Sequence, residues 1–199
     1  MFVRDWMSAP AVVVPPVVPA VAALGLMEKR RIRRLAIVRD AKLIGIVTQR
    51  DLVGTIGHGR KIALKPELTV GEVMTRDPVV VQRDDTIETA AQLMLREKVS
   101  GLPVLDGEQV VGMITESDLF RAMCNVMGLG EPGARVVLSV PDGDDLIAAL
   151  ERRSAGMDVR SLVTFRDAKR GMWDIVMRVR GKVASGGGRR KARPSRSAV

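Results

Sequence analysis

Two heptapeptides carry the residue types best suited to chemistry in this chain. Gly45-Ile46-Val47-Thr48-Gln49-Arg50-Asp51 and Gly112-Met113-Ile114-Thr115-Glu116-Ser117-Asp118 share one form: glycine, two apolar residues, threonine, two variable residues, aspartate. Thr-x-x-Asp at a helix start is a capping-box variant, and a glycine in the preceding strand can serve close packing alone. The same geometry also suits an anion and a sugar. A strand ending at a helix N-terminus presents unpaired amides and the positive end of a dipole. Thr48 and Thr115 offer hydroxyls for phosphate, and Asp51 and Asp118 can accept both hydroxyls of a ribose. Gly45 and Gly112 would let backbone approach a flat base, with Ile46, Val47, Met113 and Ile114 as apolar wall. The expected ligand is a nucleoside carrying a phosphate or another polar group. Capping and binding are compatible, and the motif alone does not separate them.

Other chemistry has little material. Cys124 and His58 are each the single residue of their type in 199 residues, so no metal site, no catalytic triad and no internal disulfide is expected. Lone Cys124 favours a reducing, cytoplasmic setting. The hydrophobic and charged fractions, 46% and 28%, are those of an ordinary soluble protein; aromatics at 3% leave the core to Val, Leu, Ile, Ala and Met. Of the formal charge of +9, six units come from Lys182, Arg189, Arg190, Lys191, Arg193 and Arg196. Basicity thus belongs mainly to a tail. Such a tail can neutralise nucleic-acid phosphates, but no helix-turn-helix or zinc pattern accompanies it and stacking aromatics are scarce, so a solvated tail is the preferred reading.

The elements that must position the heptapeptides recur with them. Gly45 and Gly112 stand 67 positions apart, and the same shift sets Val12-Val13-Val14 on Val79-Val80-Val81, Leu35 on Leu102 and Leu52 on Leu119. Each copy predicts a short Val-rich strand and a helix with apolar residues at i, i+3, i+4 and i+7 (Ala20, Ala23, Leu24, Met27; Ile87, Ala90, Ala91, Met94). Two strands follow, 35–38 with 43–48 and 102–105 with 110–115, then a helix starting near the threonine. Asp106-Gly107 reads as the hairpin turn, Asp85 or Thr86 as a helix cap, and Pro19 as the start of the first helix. The uncharged run from Trp6 to Met27 is long enough to span a bilayer, but its counterpart in copy two carries Arg76, Asp77, Arg83, Asp84, Asp85 and Glu88, and four prolines interrupt it. No membrane segment is expected. Val17, Val18 and Val21 replace the charged Asp84, Asp85 and Glu88, so a homodimer partner or the C-terminal segment is expected to cover copy one there.

The doubled motif, the preceding Val-Ser-Gly-Leu-Pro-Val of 99–104 and the Val-Met-Thr-Arg-Asp-Pro-Val of 73–79 resemble a tandem pair of CBS domains. The resemblance implies an α/β (α+β) fold, two repeats packed through their sheets about a pseudo-twofold axis. It also implies an adenosyl ligand (AMP, ADP, ATP or S-adenosylmethionine) acting as a regulator rather than a required cofactor. By that resemblance Thr48 and Thr115 contact phosphate, and Asp51 and Asp118 bind ribose. Copy one departs from the pattern, with Ala36 where copy two has Pro103 and Arg33-Arg34 in place of Ser100-Gly101. The site of Pro103 is therefore the closer match, while Arg34 and its neighbour favour a polyphosphate at the other.

After Gly128 a different unit begins, with a strand over 135–140, a helix over 144–155, strands over 159–165 and 173–179, and a turn over 167–171. It resembles the first half of an ACT domain, with Leu138-Ser139-Val140-Pro141-Asp142-Gly143 at the first strand-to-helix turn. A CBS pair followed by such a βαββ unit is similar to bacterial acetoin-utilisation regulatory proteins. The organisation expected is repeat one over 1–56, a linker over 57–69, repeat two over 70–128, the partial ACT-like unit over 134–181 and a disordered basic tail over 182–199. His58, Arg60, Lys61 and Lys65 of the linker read as a solvated connector. The function expected is a non-catalytic nucleotide sensor that signals to a regulated partner. Nucleic-acid binding through the basic tail, or a structural adaptor with degenerate nucleotide sites, is the alternative.

Overall fold

Both copies of the repeat fold into the series that their periodicity predicts. In the computed structural model, which describes residues 1–54, 67–130 and 132–180, copy one runs β1 (Val13–Val14), α1 (Ala20–Arg30), β2 (Arg34–Arg39), β3 (Lys42–Thr48) and α2 (Gln49–Gly54). Copy two opens with α3 (Val70–Val73) and β4 (Thr75–Arg76). It then repeats the series as β5 (Val81–Gln82), α4 (Ile87–Glu97), β6 (Gly101–Asp106), β7 (Gln109–Thr115) and α5 (Glu116–Val126). From α1 to β3 the bounds match those of α4 to β7 at a shift of 67 residues. So does the bulge between Ile37 and Val38, matched between Val104 and Leu105.

Local chemistry explains the boundaries. Thr86 caps α4 by accepting from the Thr89 amide, whereas Pro19 precedes α1 without a side-chain bond. Asp85 instead accepts from the Gln82 amide. Ala20, Ala23 and Met27 bury one face of α1, and Ile87, Ala90 and Met94 bury the matching face of α4. Both helices end on a residue at φ 54°, Arg31 and Lys98, whose amides return to the last turn. The β6–β7 turn is Gly107-Glu108, one residue beyond the expected pair, with Gly107 at φ 62°. Its copy-one counterpart, Asp40-Ala41, holds two non-glycine residues at φ 50° and 63°.

The strands lie in the order β1-β2-β3-β7-β6-β5, with β4 added to β3. β1 and β5 pair in parallel with β2 and β6, while β2–β3 and β6–β7 are antiparallel hairpins that meet through Lys42 and Gln109. Each copy also lends its first residues to the other. The Val3 amide donates to Asp85 O at 2.8 Å, and the equivalent Val70 amide donates to Val18 O at 2.9 Å. Arg4 to Arg83 and Gly71 to Pro16, both 2.9 Å, repeat the exchange. Val3 is fully buried in the core of copy two, around Ile87, Leu102 and Ile114, and Val70 is fully buried in that of copy one, around Met27, Leu35 and Val47.

No helix of the described residues is long and apolar enough to cross a membrane. Val18 packs against the copy-one core, but Val17 and Val21 are 73% and 51% exposed. The chain divides at Ala122 and Met123 into two compact units. The second contains β8 (Ala134–Pro141), α6 (Leu146–Ser154), β9 (Asp158–Asp167) and β10 (Met172–Arg180), with β10 between β8 and β9 and antiparallel to both. This is a split β-α-β arrangement. Asp145 caps α6 by accepting from the Ile147 and Ala148 amides at 3.0 Å, so the helix begins two residues later than the sequence suggests. Leu146, Ala149 and Leu150 pack on Val140, Ile175, Met177 and Val179. Most of the linker, with His58, Arg60, Lys61 and Lys65, and the basic tail lie outside the described residues.

Candidate functional site

The aspartate reaches back to its threonine in both motifs, and in copy one the threonine hydroxyl also caps the aspartate amide. The Thr48 amide and hydroxyl both donate to Asp51 Oδ2, at 2.7 and 2.8 Å, and the Asp51 amide returns a bond to Thr48 Oγ1 at 3.2 Å. The Thr115 amide and hydroxyl donate to Asp118 Oδ2 at 2.7 and 2.6 Å. A threonine hydroxyl has one proton, and here the aspartate takes it. A phosphate beside either threonine therefore relies on other donors.

Strand alternation divides the remaining motif residues. Ile46 and Thr48 share one face of β3, and Gly45 and Val47 the other; Met113 and Thr115 are likewise opposed to Gly112 and Ile114. Val47 and Ile114 are fully buried in the cores and form no cleft wall. Gly45 and Gly112 do admit close backbone, but it is the protein's own. A Cβ on Gly45 would fall 2.9 Å from Thr75 O, and one on Gly112 would fall 2.9 Å from Ser8 O. Those carbonyls belong to the exchanged segments, where Thr75 pairs with Ile46 and Ser8 with Met113.

The exchange makes each cleft a composite of both copies. The first has a volume of about 430 Å³ and joins Ile46, Thr48 and Asp51 of copy one to Thr75, Asp77, Pro78, Val79, Ser100, Gly101 and Pro103 of copy two. Pro103 thus lies with the copy-one motif, not with Thr115 and Asp118. The second cleft, about 100 Å³, sets Met113 and Thr115 against Ser8, Pro10, Ala11, Val12 and Ile32. Arg33 and Arg34 border both. A basic recess of about 410 Å³ adjoins them, with Arg33, Arg34, Arg50 and Lys98 facing Ser100, Thr115, Glu116 and Ser117.

The two aspartates differ in surroundings. Asp51 is half-buried and lines the first cleft. Asp118 is 2% exposed, paired with Arg121, and absent from the cleft linings. Position 54, the counterpart of Arg121, is glycine. The Arg34 guanidinium donates to Ser100 Oγ. Burial and then the charge of Arg33 lower its pKa, against Glu116 and Asp118, which raise it. Thr75, Asp77, Pro78, Val79 and Lys98 also line the first cleft, and no feature of the heptapeptides points to them, although 73–79 carries part of the family pattern. Among the described residues no group of His, Cys, Asp and Glu could hold a metal ion.

Comparison with known proteins agrees with this architecture. The CBS domain family matches residues 3–58 and 70–125, more than half of the chain. A putative acetoin utilization protein (AcuB) from Vibrio cholerae is 32% identical, with a TM-score of 0.56 over 66% of this chain and 98% of that one. The CBS domain pair of protein MJ0100, solved with 5-methylthioadenosine and S-adenosyl-L-methionine, is 28% identical, with a TM-score of 0.56 over 66% and 98%. CBSX2 in complex with AMP is 27% identical, with a TM-score of 0.56 over 63% and 97%. The L-aspartate semialdehyde sulfurtransferase of Methanocaldococcus jannaschii is 30% identical over 60% of this chain and 22% of its own length. The chain spans under a third of the curated enzymes it first matches. With two matched repeats, a shared register and the pair architecture of its structural neighbours, the chain belongs to the CBS domain family.

Proposed function

We propose that the chain is a non-catalytic sensor of a phosphate-bearing adenine nucleotide, taken in the first cleft and reported to a regulated partner protein. The observation that carries the reading is the composition of that cleft. Ile46, Val79 and Pro103 offer apolar walls for a base, and Asp51 lies within it as a ribose acceptor. Arg33, Arg34, Arg50 and Lys98 line the cleft and its adjoining basic recess. The volume falls within the range of small-molecule sites, about 300–1,000 Å³. Structural neighbours hold AMP in one case, and 5-methylthioadenosine with S-adenosyl-L-methionine in another. Four cations favour AMP, ADP or ATP over S-adenosylmethionine, whose sulfonium they repel. Occupancy would shift the two repeats, whose shared sites make their spacing sensitive to a ligand. Exposed Val17 and Val21 support a homodimer through the repeats. The split β-α-β unit supports an ACT-like role in association, and a cytoplasmic setting follows from this reading.

Isothermal titration of the full chain with AMP, ADP, ATP and S-adenosylmethionine tests it. Affinity is expected to rise with phosphate count, and Asp51→Asn to weaken binding by about tenfold or more. No heat from any of the four at millimolar concentration would remove the sensor reading and leave the motifs as helix caps.

A further inference from the structure

The sheet of the second unit ends on two unlike edges. β9 is bulged against β10 between Arg178 and Val179, and it carries Asp158, Arg160, Arg166 and Asp167. Bulges and charges of this kind keep an edge from pairing with other chains. β8 has neither bulge nor charged centre. It keeps unbroken register with β10, Val136-Val137-Leu138-Ser139-Val140 is uncharged, and its proline comes only at the end, as Pro141. Among the described residues no main chain pairs with its outer side. Val137 is 45% exposed and Ser139 is exposed too. β8 therefore offers a regular row of amides and carbonyls to another strand.

The flank of that edge has a polarity. A recess of about 550 Å³ runs along 137–141 and takes its other wall from Asp144, Ala149, Arg152 and Arg153. α6 begins four residues after Pro141 and packs back on the sheet. Asp144 thus stands at the end of β8, while Arg152 and Arg153, in the last turn of α6, stand farther back along it. Asp144, Arg152 and Arg153 are all exposed. The recess is acidic at one end and basic at the other.

We infer that β8 pairs with β8 of a second molecule of this chain, antiparallel about a twofold axis near Ser139, so that two three-stranded sheets become one. The twofold reverses the second strand and lays the acidic end of each recess against the basic end of the other. Asp144 of each molecule then faces Arg152 and Arg153 of its mate, and the contact occurs twice. Such complementarity fixes register and selects the partner. Both α6 helices fall on one side of the joined sheet, and the small Ala149 in the recess lets them lie at the ordinary 8–10 Å. Residues 182–199 carry six cations and no acid, so the basic end of the recess repels them as an occupant. The pairing gives a surface and a partner to the association role proposed for this unit, and it is independent of the nucleotide reading.

Charge reversal in the full chain, followed by sedimentation equilibrium with folding checked by thermal melting, tests the pairing. Asp144→Arg sets like charges against Arg152 and Arg153, and Arg152→Glu with Arg153→Glu sets them against Asp144. Each variant is expected to self-associate about tenfold more weakly or worse. An equal mixture of the two restores attraction at both contacts and is expected to associate about as tightly as the unaltered chain. Hydrogen exchange reads the strand itself: dilution of the unaltered chain is expected to speed exchange of β8 amides and to leave those of β9 unchanged. Should a variant fail to fold, that measurement decides alone. A monomer at every concentration overturns the pairing and the association role together. Association indifferent to both reversals, or a mixture no tighter than its components, overturns the pairing alone and moves association to another surface. Removal of 182–199 is expected to change nothing; loss of β8 protection on that removal would make the tail the occupant and overturn the inference.

Discussion

Adding one methyl group at Gly45 should destabilise the pair of repeats, while adding it at Gly25 should not. A Cβ on Gly45 would sit 2.9 Å from Thr75 O and 2.9 Å from Met74 Cγ. The Met74 side chain can swing away, but Thr75 is backbone, held in register against Ile46 in the β3–β4 ladder. Relieving the clash means displacing that strand, and overpacking of this kind costs about 1–3 kcal/mol. At roughly 2–4 °C per kcal/mol for a chain of this size, 2 kcal/mol lowers Tm by about 4–8 °C. The same displacement moves Thr75, Asp77 and Val79 on the wall of the first cleft, so nucleotide affinity should fall as well. Gly25 is exposed within α1 and has nothing within 4 Å of an added Cβ. There alanine should stabilise by about 0.5–1 kcal/mol through helix propensity. Gly112→Ala should match Gly45→Ala, since Ser8 O stands at the same 2.9 Å. Differential scanning calorimetry of the three variants decides the matter. A Gly45→Ala protein melting at or above the unaltered chain would refute the argument that the exchanged segment, rather than a ligand, dictates glycine.

The hairpin turn of copy one offers a test in the opposite sense. Ala41 sits at φ 63°, where a Cβ costs roughly 1 kcal/mol, so Ala41→Gly should raise Tm by about 2–4 °C in the same scan. In the second unit Asp174 is buried, bonded to Ser139 and paired with Arg170, and its pKa is lowered first by the Ser139 bond and then by the Arg170 charge. A depressed carboxylate stabilises the fold above its unfolded pKa of about 3.9, and that stability disappears as pH falls through the lower folded value. Asp174→Asn should therefore be less stable than the unaltered chain near pH 7, with the difference shrinking below about pH 4. Denaturant melts across that range that show a constant difference would contradict it.

Much of the architecture was legible because it is local. The helical periods of α1 and α4, the hairpins and the Thr-x-x-Asp caps all arise from residues close in sequence, and each fell within a residue or two of its expected place. The exchange of Val3 and Val70 was not legible, since a main-chain bond between residues 82 positions apart leaves no periodic trace. That is why sequence position groups Pro103 with Thr115, whereas the fold sets it in the cleft of Thr48 and Asp51. Strand alternation excludes Val47 and Ile114 from any wall formed by Ile46 and Met113, and the 67-residue shift already set Gly54 against Arg121. The burial of Asp118 follows from that second pair together with the packing around it.

The reciprocal loan of the first residues makes the two repeats inseparable as folding units. Cut after repeat one, the fragment 1–56 would keep Val3 with no core to enter, and would have an unfilled space where Val70 belongs. Neither copy reaches its lowest free energy until contacts spanning about fifty residues for copy one and about eighty for copy two have closed, which raises the contact order well above that of either copy considered alone. Folding should consequently be slower than such short hairpins suggest, and both repeats should melt in a single cooperative transition. The duplication that looks like two domains in sequence should behave thermodynamically as one.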